Sequence, residues 1–257
     1  MRVRAVRQLQ RGRPNEDLIY LGDTARVPDG TKSPETVVRF AREDTAFLVA
    51  QKVKAVVVAC NTASAWALSA LERDFRVPVF GVILPGARAA LQKTRNKHIG
   101  IIATNATIRS QAYTRAILAR DDEVRIYARA CPLLVPLVEE GWFDHPVTDK
   151  VLEEYLEPVL RRKIDTLVLG CTHYPLLKPA IRRVVGKKVA LVDSADSCAR
   201  FVRERLEFLG LINDERSRPG RLEPYVTDDT ERFTELARRF LGKLIVPATK
   251  IELPVVL

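Results

Sequence analysis

Short apolar runs of strand length alternate along this chain with longer stretches whose apolar residues recur at helical spacing. "DLIYLGD" reads as a strand ending at Asp23. "KSPETVVRFAREDTAFLVAQK" opens with Ser33 at an N-cap and Pro34 at the first helical position, a strong helix start. "AVVVA" follows as a strand buried on both faces, then "SAWALSALERDF" as a helix and "VPVFGVI" as a strand. The series continues with the strand "HIGIIA", a helix through "RSQAYTRAILA" and the strand "VRIYA". Helices near "LLVPLVEE" and through "KVLEEYLEPVLRR" lead to the strands "TLVLG" and "KVALVD". The helix "SCARFVRERLEFLG", the strand "EPYVT" and the helix "ERFTELARRFLG" complete it. Such alternation predicts parallel α/β architecture. It exceeds what one small open sheet usually holds, so two α/β domains are the economical reading.

Two of the strand runs end alike. "KVKAVVVACNT" and "KIDTLVLGCTH" each carry a Lys, an apolar strand, a small residue, a Cys and two polar residues, a weak repeat at domain scale. Halves related in this way would bring Cys60 and Cys171 to one crevice, because ligands of open α/β sheets bind beyond the carboxyl ends of the strands. Free cysteines are usually core residues, and Cys131 and Cys198 are read so. Cys60 and Cys171 instead stand where apolar runs stop. Asn61 and Thr62 follow the first, Thr172 and His173 the second, at turns suited to binding a carboxylate and lowering a thiol's pKa. A thiol and a thiolate on opposite sides of one carbon can invert a stereocentre, one removing a proton and the other delivering one. A lone cysteine with a histidine would instead suggest a hydrolase or transferase. With no glycine-rich dinucleotide fingerprint and no sign of a lysine-anchored pyridoxal site, the expected chemistry needs no cofactor.

Composition changes this picture little. The chain has 257 residues, 47% hydrophobic and 29% charged, ordinary for a globular protein. No apolar run approaches a membrane span, and the basic start "MRVRAVRQLQRGR" has no apolar stretch after it, so the expectation is a cytoplasmic protein. Four cysteines without a CxxC pair argue against a disulfide framework, and Cys171 with His173 lacks zinc-ligand spacing, so no metal is expected. The net charge of +10 raises the question of nucleic acid. The basic residues, however, are spread over amphipathic helices such as "ARRFLGKL" and "LRRKIDTL", and solvated helix faces are the better reading.

The motifs "VVVACNTASA" and "LVLGCTHYPLL", with "YLGDTARVPDGTKS", "GVILPGARAA", "CPLLVPLVEEGW" and "LVDSADS", resemble the glutamate racemases of the cofactor-independent aspartate/glutamate racemase superfamily. The resemblance runs from about Pro14 to Gly242. It implies two pseudo-symmetric parallel-sheet α/β domains with the site in the cleft between them. One comprises residues 1–83 and 194–257 and carries Cys60; the other comprises residues 84–193 and carries Cys171. Cys60 would take the α-proton from the D-enantiomer and Cys171 from the L-enantiomer. Asn61, Thr62 and Thr172 would hold the α-carboxylate and amino group. His173 would help Cys171 change protonation state, with Glu139 rather than Glu140 as the carboxylate beside it. Asp29 and Gly30 would belong to the substrate loop. The implied role is supply of D-glutamate for bacterial peptidoglycan by a homodimer.

Two departures stand out. Family members begin with a strand and an Asp-Ser-Gly-x-Gly-Gly turn, and "MRVRAVRQL" resembles only the helix after that turn. The expectation is a start placed too far downstream, against a truncated inactive relative or another segment filling the gap. Secondly, the substrate loop reads Pro28-Asp29-Gly30 where the family has Pro-Tyr-Gly. A carboxylate facing the pocket there would repel an anionic substrate by on the order of a kcal/mol. Racemisation of aspartate or another small carboxylic acid therefore remains an alternative. So does a catalytically inactive binding or regulatory protein.

Overall fold

The computed structural model describes residues 6, 8, 9, 15–213, 218–241 and 247–254. The helix expected within "MRVRAVRQL" lies largely outside them. The chain enters through β1 (Leu18–Gly22), α1 (Pro34–Ala50), β2 (Val56–Val58), α2 (Asn61–Trp66), α3 (Leu68–Asp74) and β3 (Val79–Gly81). It continues through α4 (Ile83–Lys93), β4 (His98–Ala103), α5 (Asn105–Arg109), α6 (Ala112–Leu118) and β5 (Arg125–Ala130). Next come α7 (Leu134–Glu139), α8 (Pro146–Leu160), β6 (Thr166–Gly170), a 3-10 turn (Tyr174–Leu177), α9 (Lys178–Val185) and β7 (Ala190–Asp193). The last are α10 (Ser194–Phe208), β8 (Leu222–Val226), α11 (Thr230–Leu241) and β9 (Thr249–Lys250). Among the described residues no helix is long and apolar enough to cross a membrane.

A four-stranded sheet forms in the order β5-β4-β6-β7, every pair parallel. β6 lies between β4 and β7, and all five of its residues are buried. Strand alternation divides its side chains. Leu167 and Leu169 join Leu152, Leu156, Tyr174 and Ile181 under α8 and α9, whereas Val168 joins Ile99, Ile101 and Val192 under α4 and α6. Leaving β6, the chain keeps Cys171 in the first of these clusters, beside Cys131, Leu134 and Val138.

The remaining strands do not form one sheet. β1, β8 and β9 make a parallel three-stranded sheet, and among the described residues β2 pairs only with β3. β1 and β2 each line a cavity of about 510 Å³, with Leu9, Leu48, Val202 and Leu206 on its walls. α1 touches both strands and spans the gap. This changes the expectation for "AVVVA". Only Val56 of β2 is fully buried, while Val57 and Val58 are half-buried, and among the described residues no strand pairs with the second edge.

Local chemistry accounts for the helix boundaries. The Ser33 hydroxyl accepts from the Thr36 amide at 3.3 Å with Pro34 inside the first turn, as expected. The helix expected at "SAWALSALERDF" starts earlier, at Asn61, and is divided at Ala67. The one expected at "RSQAYTRAILA" is two helices. Gln111 adopts φ 53, while the Ser110 hydroxyl donates to the Thr107 carbonyl at 2.7 Å and accepts from the Ala112 amide at 3.1 Å. α4 and α9 had no counterpart in the sequence pattern. In α4, Pro85-Gly86 imitates a turn, but Gly86 is there for close packing, since a Cβ would come within 2.9 Å of the Tyr113 hydroxyl.

Candidate active site

Both cysteines follow a strand, as the sequence repeat predicts. Cys60 occupies the N-cap position of α2, and Cys171 precedes the 3-10 turn that leads into α9. Their surroundings differ. Cys60 is half-buried, and its Sγ lies 3.1 Å from Oδ2 of Asp29. Cys171 is buried, and its Sγ lies 3.7 Å from Nδ1 of His173, whose Nε2 faces Oε1 of Glu139 at 3.2 Å. His173 thus bridges Cys171 and a carboxylate, and that carboxylate is Glu139, not the exposed Glu140.

Electrostatics runs against one expectation. The turn was to lower the thiol pKa, and the amides of His173 and Tyr174 do bond to Cys171 and favour the thiolate. Burial outweighs them and pushes the Cys171 thiol up to about 12. Negative charge on Cys60 raises it further. Cys131 and Cys198 are also pushed up to about 12 by burial, and both are core residues as expected.

The polar residues after Cys60 are buried and held. Asn61 accepts at Oδ1 from the Tyr113 hydroxyl at 2.7 Å and donates from Nδ2 to the Ser194 hydroxyl at 3.4 Å. The Thr62 hydroxyl lies 3.0 Å from that of Thr104 and 3.1 Å from that of Thr107, which are 3.0 Å from each other. Thr172 is buried beside Cys171. Gly30 presses against Thr104, where a Cβ would come within 2.8 Å of the threonine Cβ. The loop carrying Asp29 thus reaches both Cys60 and the cluster of three hydroxyls.

Tyr113, Ser194, Thr104 and Thr107 are site-lining residues that the sequence reading did not single out. Thr104 and Thr107 left a usable signal, a Thr-x-x-Thr at the end of the apolar run "HIGIIA", where Thr104 caps α5. Ser194 left another, since it follows the N-cap Asp193 at the carboxyl end of β7. Tyr113 left none, because a tyrosine on an amphipathic helix reads as packing. Burial holds its phenol well above the ordinary tyrosine range, so it remains a donor.

Known proteins resemble this chain along most of its length. The Asp/Glu/Hydantoin racemase family model matches residues 3–202. A glutamate racemase from Syntrophus aciditrophicus is 49% identical over 96% of this chain and 92% of its own length. Glutamate racemase RacE1 from Bacillus anthracis superposes with a TM-score of 0.95 at 36% identity, covering 99% of this chain and 94% of that one. The Francisella tularensis glutamate racemase, solved with D-glutamate, superposes with a TM-score of 0.90 at 35% identity over 97% and 93% of the two chains. Matched along most of its length by sequence and by fold, with both cysteines at equivalent ends of strands, the chain belongs to the Asp/Glu/hydantoin racemase family.

Proposed function

We propose that this protein interconverts L- and D-glutamate by proton transfer between two cysteines without a cofactor, in the cytoplasm, as a source of D-glutamate for peptidoglycan. The observation that carries this reading is that Cys60 and Cys171 each stand beyond the carboxyl end of a strand, Cys60 against the Asp29 carboxylate and Cys171 against His173 and Glu139. From D-glutamate the Cys60 thiolate takes the Cα proton, forming an S–H bond as the Cα–H bond breaks. The Cys171 thiol then gives its proton to the opposite face. Burial keeps that thiol protonated, which suits it to the donor role. In the reverse direction His173 receives the Cys171 proton at Nδ1 while Glu139 steadies the ring. The hydroxyls of Thr62, Thr104, Thr107 and Thr172 and the Asn61 amide are the groups for the α-carboxylate and amino group.

Exchange of the α-hydrogen in D2O tests this, followed by NMR with each enantiomer. The expected result is deuterium uptake from both, and loss of racemisation by at least about a hundredfold in Cys60→Ser and in Cys171→Ser. The enantiomers are equal in free energy, so kcat/KM must match in the two directions for every variant. Direction appears instead in the α-deuterium isotope effect, which should rise with D-glutamate in Cys60→Ser and with L-glutamate in Cys171→Ser. A folded protein that exchanges neither enantiomer would be an inactive relative. Exchange of aspartate in preference to glutamate would support the second reading, which the Asp29 carboxylate in the substrate loop favours.

The proposal extends to organisation. Residues 1–83 with 194–257 and residues 84–193 are assigned to the two domains; the four-stranded sheet draws only on residues 98–193, which supports the division. The assembly is proposed to be a homodimer. Exposed Leu133, Trp142 and Val147 offer apolar surface for it, and light scattering on Trp142→Glu against the parent measures the outcome.

A further inference from the structure

We infer that Asp29 is the proton partner of Cys60, a role resting on the two-cysteine reading above. The family pattern puts a tyrosine at this position, in the substrate loop. Here a carboxylate oxygen lies 3.1 Å from the reacting sulphur, within S–H···O hydrogen-bond reach. At that distance the carboxylate oxygen can accept the thiol proton directly, with no water between them.

The loop fixes this contact. Asp29 opens a 3-10 turn in which its carbonyl accepts from the Lys32 amide at 3.1 Å. Gly30, the next residue, lies against Thr104 with no room for a side chain. Upstream, Arg26 bonds to Asp23 at 2.7 Å and to Glu43 and Asp44 of α1, tying the loop's entry to that helix. The carboxylate is thus presented to Cys60 from an anchored backbone.

The two thiols then meet unlike groups: an imidazole backed by a carboxylate at Cys171, and the Asp29 carboxylate at Cys60. In the D-to-L direction the Cys60 S–H proton passes to Asp29, leaving a thiolate and a carboxylic acid. The thiolate takes the Cα proton while the electron pair stays on Cα, and the Cys171 thiol donates to the other face. Asp29 then gives its proton to water, and Cys171 regains one through His173. Charge and protons balance over the cycle.

Asp29→Asn and Asp29→Glu test the role. Asp29→Asn should lower kcat in both directions by about a hundredfold. It should raise the α-deuterium isotope effect with D-glutamate, where Cys60 abstracts, and leave that with L-glutamate unchanged. Asp29→Glu should restore part of kcat. Lower KM with unchanged kcat and isotope effects would make Asp29 a substrate-side group and overturn the inference. Equal rises in both isotope effects would also overturn it, pointing to general displacement of the loop. Alkylation by iodoacetamide at pH 8 reads the coupling without turnover. Cys60 should react about tenfold faster in Asp29→Asn, since no carboxylate then opposes the thiolate. An unchanged rate refutes the contact. Exchange by the parent with neither enantiomer sinks the racemase reading itself, an outcome distinct from any of these.

Discussion

β6 and β2 carry nearly the same sequence pattern into a cysteine, yet one is a central strand and the other has an open edge. β6 pairs on both sides, and every one of its residues is buried. Among the described residues β2 pairs only with β3, and it lines the 510 Å³ cavity together with β1. A run of apolar β-branched residues therefore specifies a strand but not its neighbours. Cys171 grows from a closed core and Cys60 from an incomplete one, which fits the burial of the first and the partial exposure of the second.

Truncation in the two strands gives the largest contrast. Leu169→Ala empties a fully buried position packed under α8 and α9, and should cost about 2–5 kcal/mol in urea unfolding. Val57→Ala removes two methyl groups from a half-buried position and should cost about 1 kcal/mol or less. Equal costs would mean that the cavity is closed in solution and that the strands are alike after all.

The next effect falls on the link between the two cysteine sites. Tyr113, on α6, donates to Asn61 of α2, and both residues are buried. Tyr113→Phe leaves the Asn61 carbonyl without that donor and should cost about 1–3 kcal/mol by thermal or urea unfolding. Activity should drop with it, since Asn61 then loses its fixed orientation next to Cys60. A stability loss with no change in kcat or KM would detach Asn61 from the substrate.

What could be read from the sequence divides along the same line. The four-stranded sheet was legible: β4 and β6, its central pair, are nearly continuous apolar runs buried on both faces, and the edge strands β5 and β7 lie where shorter strand runs predict. The positions of Cys60, Cys171 and His173 after strand ends were legible too, whereas Glu139, at the end of a helix, was marked by the family motif alone. A gap was marked by the missing Asp-Ser-Gly-x-Gly-Gly turn, but which strands flank it was not legible, because strand order leaves no mark on the strand itself. Nor was the Asp29–Cys60 contact, which joins residues from a 3-10 turn and a helix start and has no periodic signature. Tyr113 stayed hidden because its hydroxyl partner lies on another helix.

Alkaline pH compares the two halves through their thiols. Burial raises Cys131, Cys171 and Cys198 from 9.0 to about 12. Between those values the unfolded chain has lost thiol protons that the folded chain still holds, so stability is intact below about pH 9 and declines as pH rises toward 12. Unfolding in urea at a series of pH values should show that decline. Cys131→Ala, in the closed half, should flatten it. Cys198 belongs to a cluster with Val202 and Leu206, which also line the cavity. If water in the cavity reaches that thiol, Cys198→Ala will leave the slope unchanged while Cys131→Ala still reduces it.

The smallest expected effect makes the sharpest comparison, since it sets two identical caps against each other. Ser33 caps α1 and Thr104 caps α5, each by accepting an amide three residues on. Replacement by alanine should cost about 1 kcal/mol in either case. Ser33 is exposed to solvent at the start of a helix that borders the cavity, and its change should leave kcat and KM as they were. Thr104 also meets the hydroxyls of Thr62 and Thr107 and supports Gly30, so Thr104→Ala should raise KM for both enantiomers at a similar cost in stability. Thr104→Ser, which keeps the hydroxyl but not the methyl against Gly30, separates the two contributions. Restored KM in the serine variant assigns the effect to hydrogen bonding, and KM still raised assigns it to the seating of the Asp29 loop.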